Sequence, residues 1–242
     1  MIVSVTDFAA RANSFGPAAE IYERGRPTYP VEALDWLLPS GNPRVIDLGA
    51  GTGKLTRQIR ARGLAVTAVD PSEGMLAQLT VAVPGVPALR GTAEQIPLPA
   101  GSADVVLVAQ AWHWVDPARA LPEVARVLAP GGRLGLVWNT RDQSSDFIRR
   151  LDEIIGNEDQ ARETTIGAPF GPAEVHRVRW THTVGPEQLI DLVASRSGVI
   201  VLAPDERAAL LAEVRRLMAG QTEFEMPYVT VCARASLPAR RP

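Results

Sequence analysis

The run Asp47-Leu48-Gly49-Ala50-Gly51-Thr52-Gly53 combines one carboxylate with glycines at alternate positions. Glycine lets the backbone approach a bound molecule closely and adopt conformations that a side chain forbids, so such a run suits a loop that cradles a ligand. The spacing G-x-G-x-G departs from the G-x-G-x-x-G fingerprint of dinucleotide binding. A carboxylate inside the loop would repel a pyrophosphate and attract a cation. Asp70 follows about 20 residues later, where an acidic side chain can accept hydrogen bonds from both hydroxyls of a ribose. The glycines, Asp47 and Asp70 therefore point to a nucleoside that carries positive charge. Each also has a plainer reading: the glycines as a tight strand-to-helix turn, and Asp70 as the N-cap of a helix opened by PSEGM.

The elements that must position these residues follow from the apolar pattern. Between residues 44 and 138 short apolar runs alternate with helix-like stretches, as in βαβ units on a parallel sheet. RVIDL predicts the first strand, LTRQIRARG a helix, LAVTAVD the second strand and EGMLAQLTVAV a second helix. Residues 86–90 predict a short third strand, and ADVVLVAQA a fourth, apolar enough for the sheet centre. DPARALPEVARVLAPGG reads as a helix closed by Pro-Gly-Gly, and RLGLVWN as the fifth strand. Residues 141–170 are polar, helical in their first half, and end in the loop GAPFGPAE. Residues 174–184 alternate as a strand, 186–196 and 204–219 are helical, and FEMPYVTVCARA forms the last strand. The expected fold is α/β, a doubly wound, mostly parallel sheet of seven strands, with the glycine loop and Asp70 on its ligand-binding edge. Residues 1–43, broken by Pro17, Pro27, Pro30 and Pro39, are expected to form an N-terminal helical cap. Residues 44–235 are the α/β domain and 236–242 a frayed tail.

Composition narrows the partners. The 242 residues carry 25 Lys+Arg against 27 Asp+Glu, a net charge of -2 with no cationic excess for a nucleic-acid or membrane surface. Lys54 is the sole lysine, and the preference for Arg reads as a compositional bias without mechanism. A single cysteine, Cys232, excludes an intramolecular disulfide and a cysteine-based metal cluster, and with only 3 His no metal site is expected. Asp7, Arg11 and Asn13 stand where a secretory signal needs an unbroken apolar segment, and no later run reaches membrane-spanning length. A cytoplasmic setting is expected.

The segments VIDLGAGTG, AVDPSEGML, GTAEQIPLP, ADVVLVAQAWHW and LAPGGRLGLVWN, in this order, resemble the motifs of class I S-adenosylmethionine-dependent methyltransferases across residues 44–138. YERGRPTYP and the paired tryptophans of WHW are similar to the type-11 methyltransferases around the trans-aconitate branch. The resemblance implies a Rossmann-like sheet, S-adenosylmethionine as methyl donor, S-adenosylhomocysteine as product and a small-molecule acceptor. It implies Asp47, Gly49, Ala50, Gly51 and Gly53 beside the donor's amino-acid part and sulfonium, Asp70 on the ribose and Met75 on the adenine. Thr92, Ala93 and Glu94 would reach the adenine edge, and Gln110 and Ala111 would line the path to the methyl group. Tyr22 and Arg26 would close from the cap, Arg26 toward the donor's carboxylate. Met75 as a core residue, Glu94 as a loop acid and Arg26 as a brace are the plainer readings.

The acceptor is expected past the fourth strand, where Trp112, His113 and Trp114 can wall a pocket together with Tyr29 and Trp138. His113, near its ordinary pKa at neutral pH, suits a general base; alternatively it bonds a backbone carbonyl while the tryptophans fill core. Arg141, just beyond the fifth strand, would serve a carboxylate acceptor or stand as an exposed loop charge. His176 and His182 read as surface strand residues. Methyl transfer from a sulfonium is an in-line displacement, so the protein has mainly to align the reactants and exclude water. Two other readings stand beside the enzyme: a non-catalytic donor-binding protein, and an NAD-dependent oxidoreductase, which Asp47 and the glycine spacing oppose.

Overall fold

Every residue of β1 (Val45–Leu48) is buried, as are most of β4 (Ala103–Ala109). Strands buried on both faces belong in the middle of a parallel sheet covered by helices. The computed structural model describes residues 19–156 and 165–238. Residues 1–18 of the expected cap, 157–164 of the polar stretch and 239–242 of the expected tail lie outside the described residues. The remaining strands are β2 (Val66–Asp70), β3 (Ala88–Arg90), β5 (Leu128–Arg141), β6 (Glu174–Val184) and β7 (Phe224–Ser236). They form one sheet in the order β3-β2-β1-β4-β5-β7-β6. β1 to β5 run parallel, and β7 lies antiparallel to both β5 and β6.

The helices are α1 (Ala19–Gly25), α2 (Val31–Leu37), α3 (Lys54–Ala61), α4 (Glu73–Ala82), α5 (Pro117–Val127), α6 (Asp146–Ile155), α7 (Pro186–Ala194), α8 (Ser197–Ile200) and α9 (Pro204–Leu217). Strand alternation sorts the core into two layers. On one face Val45, Val105 and Leu107 pack with Leu34 and Leu37 of α2 and Leu55 and Ile59 of α3. On the other, Ile46, Val106 and Val108 pack with Leu121 and Val124 of α5. A third cluster joins α6, α7 and α9 to Phe224, Met226 and Tyr228 of β7. Among the described residues no helix is long and apolar enough to cross a membrane.

Several element ends differ from the sequence reading, among them three that change the pairing of the sheet or the start of the tail. β3 begins at Ala88, not at Val86. α5 stops at Val127, and LAPGG joins β5: Leu128 pairs with Ala103, and the register shifts before Arg133 meets Val105. Pro130 cannot donate to a helix ladder, and the irregular stretch of β5 accommodates it. β7 extends through Ser236, and Leu237 N donates to Gly132 O at 2.7 Å, so the chain is still paired where the tail was expected to start.

Arg141 ends β5 in a buried ion pair. Its Nε and Nη2 lie 2.8 and 2.7 Å from Asp152 Oδ1 on α6, and Gln143 Nε2 donates to Asp152 Oδ2 at 2.5 Å. This corrects the exposed-loop reading, because Arg141 retains 2% and Asp152 7% of their surface. Removing one partner leaves a buried charge uncompensated, so Asp152→Ala is expected to cost about 3–5 kcal/mol. The double change Arg141→Met with Asp152→Leu should recover most of that loss in urea denaturation.

Candidate active site

The glycine loop is hung on the end of β2. Gly49 N and Ala50 N donate to Val69 O at 2.8 and 3.1 Å, and Gly51 N donates to Asp70 Oδ2 at 2.8 Å. Gly49 has φ +73°, and a Cβ there would stand 2.7 Å from the Cβ of Ala111. Glycine is thus required at this position by both conformation and space. Asp70 Oδ1 accepts from Ser72 N at 2.8 Å, while Ser72 itself caps α4, its Oγ accepting from Met75 N at 3.4 Å. The N-cap reading of Asp70 is therefore replaced: its carboxylate ties the loop to the following turn. Burial raises the pKa of this carboxyl.

Alternation along β1 puts Asp47 on the face of Val45, toward α3, where Thr56 Oγ1 donates to Asp47 Oδ2 at 2.5 Å. The other oxygen, Oδ1, is buried with no hydrogen-bond partner among the described residues. Burial pushes the carboxyl up to about 7, against the pull of Thr56. Asp47 lies at the floor of a cleft of about 440 Å³ of atom-free space, part of it open to solvent. The cap contributes Tyr22, Arg26, Pro27 and Tyr29; the loop and α3 contribute Gly49, Ala50, Gly51, Thr52, Lys54 and Leu55; Ala109 and Gln110 close it from the end of β4. Gln110 has φ +56°, the left-handed region that non-glycine residues occupy at a cost, and its N donates to Val137 O at 2.9 Å. Burial holds the Tyr29 phenol well above its ordinary pKa, so it is a neutral wall.

The cap is fastened over this cleft by charges. Glu23 Oε2 accepts from Thr52 Oγ1 at 2.6 Å, its Oε1 pairs with Arg57, and its main-chain oxygen accepts from Lys54 Nζ at 2.5 Å. Arg24 Nε bonds Asp191 of α7 at 2.8 Å, and Arg26 Nε donates to Ser195 Oγ at 3.0 Å. Gly25 faces Leu192 so closely that a Cβ would lie 2.3 Å from the Leu192 nitrogen.

The expected donor residues divide in two. Tyr22, Arg26, Asp47, Gly49, Ala50, Gly51 and Gln110 line the cleft, and Asp70 and Met75 stand beside the loop on β2 and α4. Gly53 is the N-cap of α3, and Ala111 packs against Gly49. Thr92 bridges Gln95, Ala93 is buried in the α5-side layer, and Glu94 accepts from Asp116 N at 3.0 Å at the start of α5. On the acceptor side only Tyr29 lines the cleft. Trp112 is buried in the α5-side layer, and Trp138 packs against the same layer. His113 and Trp114 are half-buried in a 3₁₀ turn, their rings 4.6 Å apart. His176 sits 3.0 Å from Glu32 and stacks on Trp36, while His182 lies 3.4 Å from Gln188. A larger hollow, about 720 Å³, opens among Arg44, Val66, Pro87 and Ala103 at the opposite edge of the sheet and contains none of these residues.

Glu23, Thr52, Lys54 and Thr56 went unread in the sequence. Lys54 had a signal, being the sole lysine and the residue directly after the loop. Glu23 lies within YERGRPTYP but was given no role there, because its partners belong to another element.

A doubly wound sheet in this strand order, with a glycine loop after β1 and an acid ending β2, defines the class I S-adenosylmethionine-dependent methyltransferases. Residues 46–136 match a family model described as a methyltransferase domain. An uncharacterized methyltransferase of Mycobacterium tuberculosis is 56% identical over 232 residues, covering 93% of this chain and 96% of the relative. The chain therefore belongs to the methyltransferase family. A solved structure from Anaeromyxobacter dehalogenans, named as a candidate type II methyltransferase, has 26% identity and a TM-score of 0.66, covering 88% of this chain and 99% of that one. The fold is shared by a phosphoethanolamine N-methyltransferase of Haemonchus contortus, solved with S-adenosylhomocysteine, at 18% identity and TM-score 0.59 over 98% of this chain and 61% of that one. These matches are to methyltransferases broadly; the narrower likeness to the trans-aconitate branch stays an expectation of the sequence.

Asp47 makes stability depend on pH. Its carboxyl is held at about 7 in the fold against an ordinary 3.8, so the folded state binds the extra proton. Stability from this group is fully present below the ordinary value and is lost as pH rises through about 7. Urea denaturation of the ligand-free protein at about pH 5 and about pH 8 should find Asp47→Asn gaining on the wild type at the higher pH.

Proposed function

We propose that the chain binds S-adenosylmethionine in this cleft and transfers its methyl group to a small molecule in the cytoplasm by direct in-line displacement. The observation that carries this reading is the buried Asp47 Oδ1, an acceptor without partner among the described residues at the floor of the cleft. A buried acceptor of this kind fits a cationic ligand, and the close approach of Gly49 to Ala111 leaves backbone where a Cβ would intrude. When bound, the donor supplies a methyl group made electrophilic by its sulfonium.

The chain's own residues supply the rest. Asp47 offers its carboxylate to the donor's positive charge, and Arg26 its guanidinium to the donor's carboxylate. Asp70 receives the ribose hydroxyls on lone pairs beyond those taken by Gly51 and Ser72. Met75 packs on the adenine, with Thr92, Ala93 and Glu94 at its edge. Tyr29 and Gln110 wall the methyl side and keep water out. An acceptor reaching the methyl past Gln110 meets the turn that carries His113 and Trp114, with Trp138 on the neighbouring strand, while Trp112 backs the turn from the core and Arg141 is spent on Asp152. His113 takes the proton from acceptors that attack through a phenol or amine; a carboxylate acceptor, already ionised at pH 7, needs no base.

Calorimetry with S-adenosylmethionine, S-adenosylhomocysteine and NAD tests the reading, and binding of NAD alone would end it. Asp70→Ala should weaken donor binding by about 10-fold or more through lost charge-assisted hydrogen bonds, with acceptor affinity much less affected. For an acceptor that must lose a proton, His113→Asn should lower the transfer rate by roughly 10²–10⁴-fold at nearly unchanged donor affinity.

A further inference from the structure

β5 runs on past the end of β4, where Ala109 pairs with Val137, and the next residue of β5 on the same face is Asn139. Asn139 retains 4% of its surface and its cross-strand partner on β7, Thr230, retains none. Two buried polar side chains in an apolar layer persist because each is hydrogen-bonded. Trp180 Nε1 of β6 donates to Thr230 Oγ1 at 2.7 Å, and Thr230 Oγ1 donates to Asn139 Oδ1 at 2.6 Å. Asn139 Nδ2 donates to the main-chain oxygen of Thr28 at 2.9 Å. The main-chain oxygen of Asn139 accepts from Gln110 Nε2 at 3.2 Å.

The relay has one direction. An indole N–H can only donate, so the Thr230 hydroxyl accepts from Trp180 and turns its own hydrogen to Asn139. The amide oxygen of Asn139 then faces Thr230 and its NH₂ faces the Thr28 carbonyl. The reverse orientation would set two oxygens against each other with no hydrogen between them. Beyond Thr28, Tyr29 N donates to Gln58 Oε1 at 3.1 Å and Tyr29 O accepts from Gln58 Nε2 at 2.7 Å. Residues 28 and 29 are thus held between β5 and α3. Tyr29 and Gln110 both line the cleft, and Asn139 anchors the first through its side chain and the second through its main chain.

We propose that Asn139 is a positioning residue that, through the relay from Trp180 and Thr230, sets the spacing between Tyr29 and Gln110 and with it the protein's preference for the methylated donor over its demethylated product. The proposal rests on the donor assignment above, in which these two residues wall the methyl side, and adds to it a residue and a selectivity. S-adenosylmethionine and S-adenosylhomocysteine share every group except the methyl and the charge on sulfur. A wall that moves away leaves the extra methyl unpacked while the shared groups keep their contacts. The sulfur charge is the same in every variant, so a change in the ratio of the two affinities reads the wall.

Titration calorimetry with both compounds, on wild type, Asn139→Ala, Thr230→Val and Thr230→Ser, provides the test. In Asn139→Ala the affinity for S-adenosylmethionine relative to S-adenosylhomocysteine should fall about fourfold, the worth of one buried methyl. Thr230→Val, which keeps the shape and removes the hydroxyl, should move the ratio the same way, and Thr230→Ser should keep the wild-type ratio. Equal losses for the two compounds, or no loss for either, would leave Asn139 a brace of the sheet and overturn the proposal with the donor assignment intact. A ratio that shifts in Asn139→Ala and not in Thr230→Val overturns the relay. Should the Asn139 variant not fold, the two Thr230 variants and a crystal structure of the wild type with S-adenosylhomocysteine carry the test. The sulfur is expected between Tyr29 and Gln110, and a sulfur facing any other wall overturns the proposal. A wild type that binds neither compound overturns the donor assignment, and the proposal falls with it.

Discussion

The hydrogen bond from Gly51 N to the Asp70 carboxylate, at 2.8 Å, is the constraint on which the cleft depends. It joins the turn after β1 to the last residue of β2, so two adjacent parallel strands end at a common, fixed height. Val69 O reinforces it by receiving Gly49 N and Ala50 N. With the loop held there, Gly49 comes against Ala111 and brings the end of β4 to the cleft. Asp47, one pleat back, is then shut between the loop and Thr56 of α3. A carboxylate in that position is costly to ionise, which is why burial dominates its raised pKa. The same geometry that holds the loop therefore leaves a carboxyl whose ionised form a bound counter-charge would favour.

The two cap helices are attached by different forces. α2 buries Ala33, Leu34 and Leu37 in the layer over β1 and β4, an attachment as permanent as the rest of the core. α1 buries only Ala19 and Gly25, and its grip on the protein is mostly ionic and hydrogen-bonded, through Glu23, Arg24 and Arg26. Partly exposed ion pairs contribute about 0–1 kcal/mol each and weaken with salt. The wall that Tyr22 and Arg26 form over the cleft is thus the least strongly anchored of its sides, which suits a surface that must admit and release a ligand.

What was legible in the sequence was local. The glycine loop, Asp70 and the strands that carry them lie within one βαβ unit, and their spacing alone places them on one sheet edge. The central strands were legible because burial on both faces leaves an uninterrupted apolar run. Where several weak signals competed, the reading slipped: LAPGG looks like a helix stop, yet pairing with Ala103 draws Leu128 into β5. The acceptor-side reading rested on residue type, and type does not reveal which face a tryptophan takes; Trp112 faces the α5-side core. The cap contacts were not legible, since Arg26 and Ser195 are 169 residues apart and neither carries a local pattern that names the other.

The docking of α1 on α7 has a consequence for biosynthesis. A chain emerging from the ribosome releases α1 and the glycine loop early, but Asp191 and Ser195, which hold Arg24 and Arg26, only some 140 residues later. At about 5–20 residues per second the interval is on the order of 10 s. Throughout it the parallel strands can assemble while α1 has the glycine loop as a partner and no second wall to lean against. Closure of the cleft is consequently a late event of folding, delayed until the antiparallel end of the sheet and its helices have been made. A nascent chain stopped after β5 would hold the loop motifs and the acid of β2 without the cover that encloses them.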